Sequence, residues 1–142
     1  MTKNIELITD AEWEIMRVVW TKNETTSTEV IDILEKKMEW KPSTVKTLLS
    51  RLVTKKYLET RKEGKQFIYR AVVSEQKAIK TAGNELLDKI CDRKVGSMLA
   101  EMIERKTLST KDIEAIEMIL NKKKEDAPEV VPCNCIPGQC LC

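Results

Sequence analysis

Between Ile8 and Trp20 apolar residues return every three or four positions, with Trp13, Met16 and Trp20 on one stripe and Ile15 and Val19 widening it. That is the period of an amphipathic helix, and tryptophans at this spacing belong to a core rather than to a base-stacking surface. Thr9-Asp10-Ala11-Glu12 forms a capping box at its start, with Ile8 and Trp13 placed as a hydrophobic staple. A second box, Thr26-Ser27-Thr28-Glu29, opens a helix to about Met38 whose apolar positions are Val30, Ile33, Leu34 and Met38. Trp40 follows as a candidate short strand. Pro42 suits the first turn of a third helix, where a missing N–H costs nothing, and that helix runs through Ser43 to about Lys56. Two strand-forming runs come next, residues 57–61 and 66–72, separated by Lys62-Glu63-Gly64-Lys65, where Gly64 can take a positive φ.

Three helices followed by a two-stranded hairpin with a basic tip is the order of a winged helix-turn-helix. From Ser74 the helical period resumes in three stripes: Ile79, Ala82, Leu86 and Ile90; Val95, Leu99, Met102 and Ile103; then Ile113, Ile116 and Leu120 behind a cap at Ser109. Three short helices hold too little material for a sizeable core of their own, so they are expected to bury these stripes against a second copy. The chain thus divides into a winged-helix DNA-binding domain (1–73), a helical dimerisation region (74–125) and a linker with a cysteine-rich tail (126–142). The fold class is mostly α with a small β-hairpin.

Net charge is only +2, but its distribution is uneven. Residues 1–40 carry five Lys/Arg and nine Asp/Glu, whereas residues 41–70 carry nine Lys/Arg and two Glu, a balance of +7. Excess positive charge in one short stretch is the footprint of a segment that meets phosphates. Within the third helix Val45, Leu48, Leu49, Leu52 and Val53 form the buried face. Ser43, Thr44, Lys46, Thr47, Ser50, Arg51 and Lys55 form the other, with no carboxylate among them. Short hydroxyls and long cations can read base edges in the major groove, while wing lysines position the protein on the backbone. Thr44, Lys46 and Thr47 are assigned to base edges; Arg51, Lys55, Lys62 and Lys65 are assigned to phosphates.

There is no histidine, no nucleophile–base pair and no phosphate loop, which argues against an enzyme. No apolar run approaches the ~20 residues of a membrane helix and no signal peptide is recognisable, so a cytoplasmic location is expected. Four of the five cysteines fall in the last ten residues, as Cys133-x-Cys135-x4-Cys140-x-Cys142 with Pro137-Gly138 at the centre. Pro-Gly favours a turn that folds the two Cys-x-Cys arms towards each other. Four thiolates suit one tetrahedral Zn2+ or a small cluster of two Cu(I), and pairs tighter than Cys-x2-Cys favour bridging clusters. A mixed Cys/His zinc finger is excluded. A redox thiol pair is the blander alternative. Cys91, beside Ile90 on a helical stripe, fits a small buried hydrophobe and is left outside the site.

Residues 9–20, the Ser43–Leu52 helix, the Gly64–Tyr69 wing and the Ser109–Lys123 helix resemble the penicillinase/methicillin-resistance repressors. The Cys-x-Cys-x4-Cys-x-Cys tail resembles that of their CopY-type, copper-responsive branch. The resemblance implies a homodimer that represses a copper-homeostasis operon at a TACA-xx-TGTA palindrome. It further implies a DNA-binding form with one Zn2+ per chain, displaced by two Cu(I) per chain from a copper chaperone. The antibiotic-resistance branch is induced by cleavage at an Asn-Phe bond in the dimerisation region. The comparable stretch here, Met98 to Ile103, has none, and the only phenylalanine is Phe67. Two alternatives stay open: a β-lactam-type repressor with a structural zinc, and a metal buffer whose basic segment is incidental. Pro128 and Pro132 suggest a tether that needs an anchor, so zinc is expected to tie the tail down.

Overall fold

The computed structural model describes residues 5–138. The chain forms two compact units that divide between Gly83 and Asn84. The first unit begins with helix α1 (Asp10–Lys22), followed by strand β1 (Glu24–Thr26), helices α2 (Ser27–Met38) and α3 (Pro42–Thr54), and strands β2 (Leu58–Glu63) and β3 (Gln66–Ala71). Helix α4 (Glu75–Asp88) spans the division, and α5 (Asp92–Arg105) and α6 (Thr110–Lys124) lie in the second unit.

Each helix start is set by local chemistry. Thr9 accepts from the Glu12 N–H at 3.1 Å, and Thr26 accepts from the Glu29 N–H at 3.2 Å. Side-chain caps of this type contribute about 1 kcal/mol each. Ser109 and Asp112 form a reciprocal capping box, as the Ser109 cap position predicts. Helix α3 has no side-chain cap and starts instead on Pro42 at its first turn. Glu12 departs from the simple box. Its Oε1 accepts from the Thr9 hydroxyl and from the Lys55 ammonium, and the carboxylate is buried.

The sheet has three antiparallel strands in the order β1-β3-β2, one more than the expected hairpin. In it Thr25 pairs with Tyr69 and Thr60 with the same residue from the other side. Trp40 is not in a strand; it packs partly buried against the core. Gly64, at φ 64°, opens the two-residue turn between β2 and β3, the position where a hairpin turn of this kind requires glycine.

The core of the first unit lies where α1, α2 and α3 meet the start of β2: Ile15, Met16, Val19, Val30, Leu34, Val45, Leu48, Leu49, Leu52, Tyr57 and Leu58. Trp13 and Trp20 flank it edge to face, ring centroids 5.6 Å apart, and the Trp20 indole donates to the Val73 carbonyl at 2.9 Å. Both tryptophans thus serve packing. The Tyr57 hydroxyl donates to the Glu6 carbonyl, and burial, aided by the nearby Glu6 and Glu12 charges, pushes its pKa up. Ala78, one turn into α4, is buried in the same core, which carries this unit past the 73/74 boundary expected from sequence.

The second unit is built differently. Neither α5 nor α6 has a buried residue, and Leu99, Ile103, Ile113, Met118, Ile119 and Leu120 are all exposed.

Candidate nucleic-acid interface and thiol cluster

Burial of Val45, Leu48, Leu49 and Leu52 fixes the rotation of α3. It leaves Ser43, Thr44, Lys46, Thr47, Ser50 and Arg51 exposed. The Thr47 hydroxyl donates to the Ser43 carbonyl at 2.9 Å, so it faces outward with a methyl group and an acceptor oxygen. Lys62 and Lys65 are exposed on the wing, Lys62 with its ammonium 5.9 Å from the Phe67 ring centroid.

Lys55 is placed differently from the role assigned to it. Its ammonium turns inward, 3.0 Å from Glu12 Oε1 and 3.3 Å from the Leu7 carbonyl. A buried carboxylate is costly without a paired cation, and this lysine supplies the pairing. Arg61 and Arg70 are likewise engaged within the protein. Arg61 forks onto Glu24 at 2.9 and 3.0 Å and pairs with Glu63; Arg70 pairs with Glu59. The Arg61 hydrogen bonds hold the Glu24 carboxyl below its ordinary range. Of the nine cations in residues 41–70, Lys41, Lys46, Arg51, Lys56, Lys62 and Lys65 have no ion pair with another described residue. The positive field is thereby concentrated on the outer face of α3 and on the wing.

A cleft joins these two elements. Its lining includes Lys46 of α3, Lys65, Gln66 and Phe67 of the wing, and Ser27 and Thr28 at the start of α2. Ser27 and Thr28 were not singled out in the sequence, although their place in the first turn of a capped helix was legible. The backbone N–H groups of a helix N-terminus suit an anionic group.

In the second unit, Cys91, Cys133 and Cys135 bring their three sulfurs within 4.8 Å of one another. Cys91 Sγ lies 3.7 Å from Cys133 Sγ. The sequence had set Cys91 aside as a buried hydrophobe, but the fold carries it into the cluster, half-buried beside the tail. The Cys135 N–H donates to Cys133 Sγ at 3.3 Å. The turn expected at Pro137-Gly138 forms, with Gly138 at φ 86°. Cys140 and Cys142 lie outside the described residues. The donor set is sulfur alone, which suits Zn2+ or Cu(I). Four sulfurs at ~2.3 Å around a tetrahedral ion stand about 3.8 Å apart, close to the observed 3.7 Å.

The family model described as penicillinase repressor matches residues 8–122. The chain belongs to the penicillinase repressor family. Members are DNA-binding transcriptional repressors, not enzymes. The penicillinase repressor of Bacillus licheniformis is 35% identical over 127 residues, covering 87% of this chain and 99% of its own length. A 16.5 kDa protein from the ptsI 3′ region of Latilactobacillus sakei is 43% identical over 142 residues, covering 100% of this chain and 97% of its own. The solution structure of the monomeric form of B. licheniformis BlaI in complex with the blaP half-operator matches 54% of this chain and 93% of that one, at 39% identity and a TM-score of 0.48. Among the described residues of this penicillinase-repressor chain, no helix is long and apolar enough to cross a membrane. The family match ends at residue 122, so the described thiols at 133 and 135 lie beyond it.

Proposed function

We propose that this protein is a copper-responsive transcriptional repressor: a homodimer that holds a palindromic operator and lets it go when Cu(I) replaces Zn2+ on its thiols. The observation that carries the reading is the convergence of Cys91, Cys133 and Cys135 within 4.8 Å in a chain whose α3 and wing expose unpaired cations and hydroxyls. Family membership supports the repressor half of the reading and the sulfur-only donor set supports the copper half.

In this reading Thr44, Lys46 and Thr47 read base edges, and Arg51, Lys62 and Lys65 hold phosphates. Ser27 and Thr28 add backbone donors from the start of α2. The apolar faces of α5 and α6 bury against the same faces of a second copy, placing two reading heads on one duplex. The tail offers Cys133, Cys135, Cys140 and Cys142 as ligands to the metal. Bound Zn2+ supplies a rigid tetrahedral cross-link among thiolates, whereas Cu(I) prefers fewer, shared sulfurs. A copper chaperone is the fitting donor of an ion that is otherwise scarce in free form.

The test is an anaerobic Cu(I) titration of zinc-loaded protein on a fluorescent TACA-xx-TGTA duplex, with zinc release and DNA anisotropy followed together. The expected result is loss of zinc and of anisotropy in step as about two Cu(I) enter per chain. Zinc release with DNA still bound would overturn the sensor reading and leave a metal buffer or a structural zinc.

A further inference from the structure

We infer that Cys91 is itself a metal ligand, so that the thiol site is shared between the tail and the start of α5; this deepens the reading above and rests on it only for the choice of metals. Cys91 is the N-cap residue of α5. The capping bond there comes from the tail: Asn134 Oδ1 accepts from the Asp92 N–H at 2.7 Å. One residue further on, Arg93 Nε donates to the Val131 carbonyl at 2.7 Å. The stretch 131–135 is thus seated on the first turn of α5 by two polar contacts that involve no cysteine. That seating carries Cys133 Sγ to 3.7 Å from Cys91 Sγ, and the Cys135 sulfur joins the same cluster.

The Cys135 N–H already donates to Cys133 Sγ, as backbone groups do around ligating sulfur in the outer shell of metal sites. A four-coordinate ion that takes Cys91, Cys133 and Cys135 needs one more sulfur, and the second Cys-x-Cys pair offers two. With Cys91 included, the chain carries five thiols for four positions. Site occupancy then fixes the tail to the helical unit, and a change of metal is felt at α5 directly.

The full-length protein is tested with Zn2+ and with Co2+ as a spectroscopic substitute. Mass spectrometry follows iodoacetamide labelling of each cysteine, anaerobically, with and without one equivalent of Zn2+. Cys91 is expected to be protected at least tenfold on zinc loading. In Cys91→Ser the four tail thiols remain, so the sulfur-to-cobalt charge-transfer intensity holds at the four-thiolate level while zinc affinity drops at least tenfold, because the ligand anchored at the start of α5 is lost. Cys91→Ala serves as the second variant, and the circular dichroism of both metal-free variants checks the fold. Equal labelling of Cys91 with and without zinc, or an unchanged zinc affinity in both variants, would overturn the proposal. So would protection that appears only after oxidation and vanishes with reductant, which marks a thiol pair. If zinc protects Cys91 while Cu(I) leaves DNA bound, the shared site stands and the copper-sensing function fails.

Discussion

Lys46 and Lys65 line the same cleft but are asked to do different things. Lys46 is exposed on α3, the helix proposed to read bases, so Lys46→Ala is expected to weaken binding to the proposed palindrome by about tenfold more than binding to random duplex. Lys65 sits at the wing tip, so Lys65→Ala is expected to weaken both equally and to lower the salt slope by about 1 per chain. Fluorescence anisotropy on the two duplexes across a salt series separates the cases, and equal losses for Lys46→Ala would remove its base-reading role. Lys55 belongs to another category because its ammonium neutralises the buried Glu12. Lys55→Met should cost about 3 kcal/mol of stability in urea denaturation, with most of it recovered when Glu12→Leu is added. A Lys55→Met protein as stable as the original would mean that the pair does not hold α1 to α3.

Helices α1 and α2 are tied at the surface by Lys37 and Glu14, 2.8 Å apart. The Lys37 hydrogen bond lowers the Glu14 pKa below its ordinary 4.5. A folded value below the unfolded one means that the contribution is present above pH 4.5 and is lost as pH falls through the folded value. Exposed pairs contribute under about 1 kcal/mol. Urea midpoints of the original and of Lys37→Met should therefore differ slightly and constantly from pH 7 to 5, then converge in acid; a gap that persists in acid would point to packing by the lysine stem. The helices were legible because their signals are local: caps at Thr9, Thr26 and Ser109 lie within three residues of the N–H groups they satisfy. Strand β1 was not, since three residues show no period and Glu24 meets its partner Arg70 only through the fold. Trp40 misled for a related reason, its side chain being an outlying part of the core rather than one side of an alternating strand. The approach of Cys91 to Cys133 was not legible because it joins residues forty-two positions apart, and nothing in the residues around Cys91 announces that neighbour.

At the scale of the molecule, the first unit is closed around its own core while α5 and α6 leave theirs open. Leu99 and Ile103 are 41% and 42% exposed, and a pair of such residues recurs twice across any two-fold interface. If α5 and α6 bury these residues against a second copy, as proposed, Leu99→Glu with Ile103→Glu is expected to raise the dimer dissociation constant by about 100-fold or more, read by sedimentation velocity, with the first unit still folded by circular dichroism. A dimer unchanged in that variant would place the interface elsewhere. The contact between Cys91 and Cys133 has a further consequence, topological rather than chemical. A metal bridging those sulfurs closes a ring of 42 residues around α5 and α6, and a cross-link of that span disfavours the unfolded chain by about 4 kcal/mol. The loaded protein should then resist digestion where the empty one is cut between the two helices. Proteolysis in cells follows the population that opens, so the abundance of the repressor, and not its grip on DNA alone, would rise and fall with the metal supply.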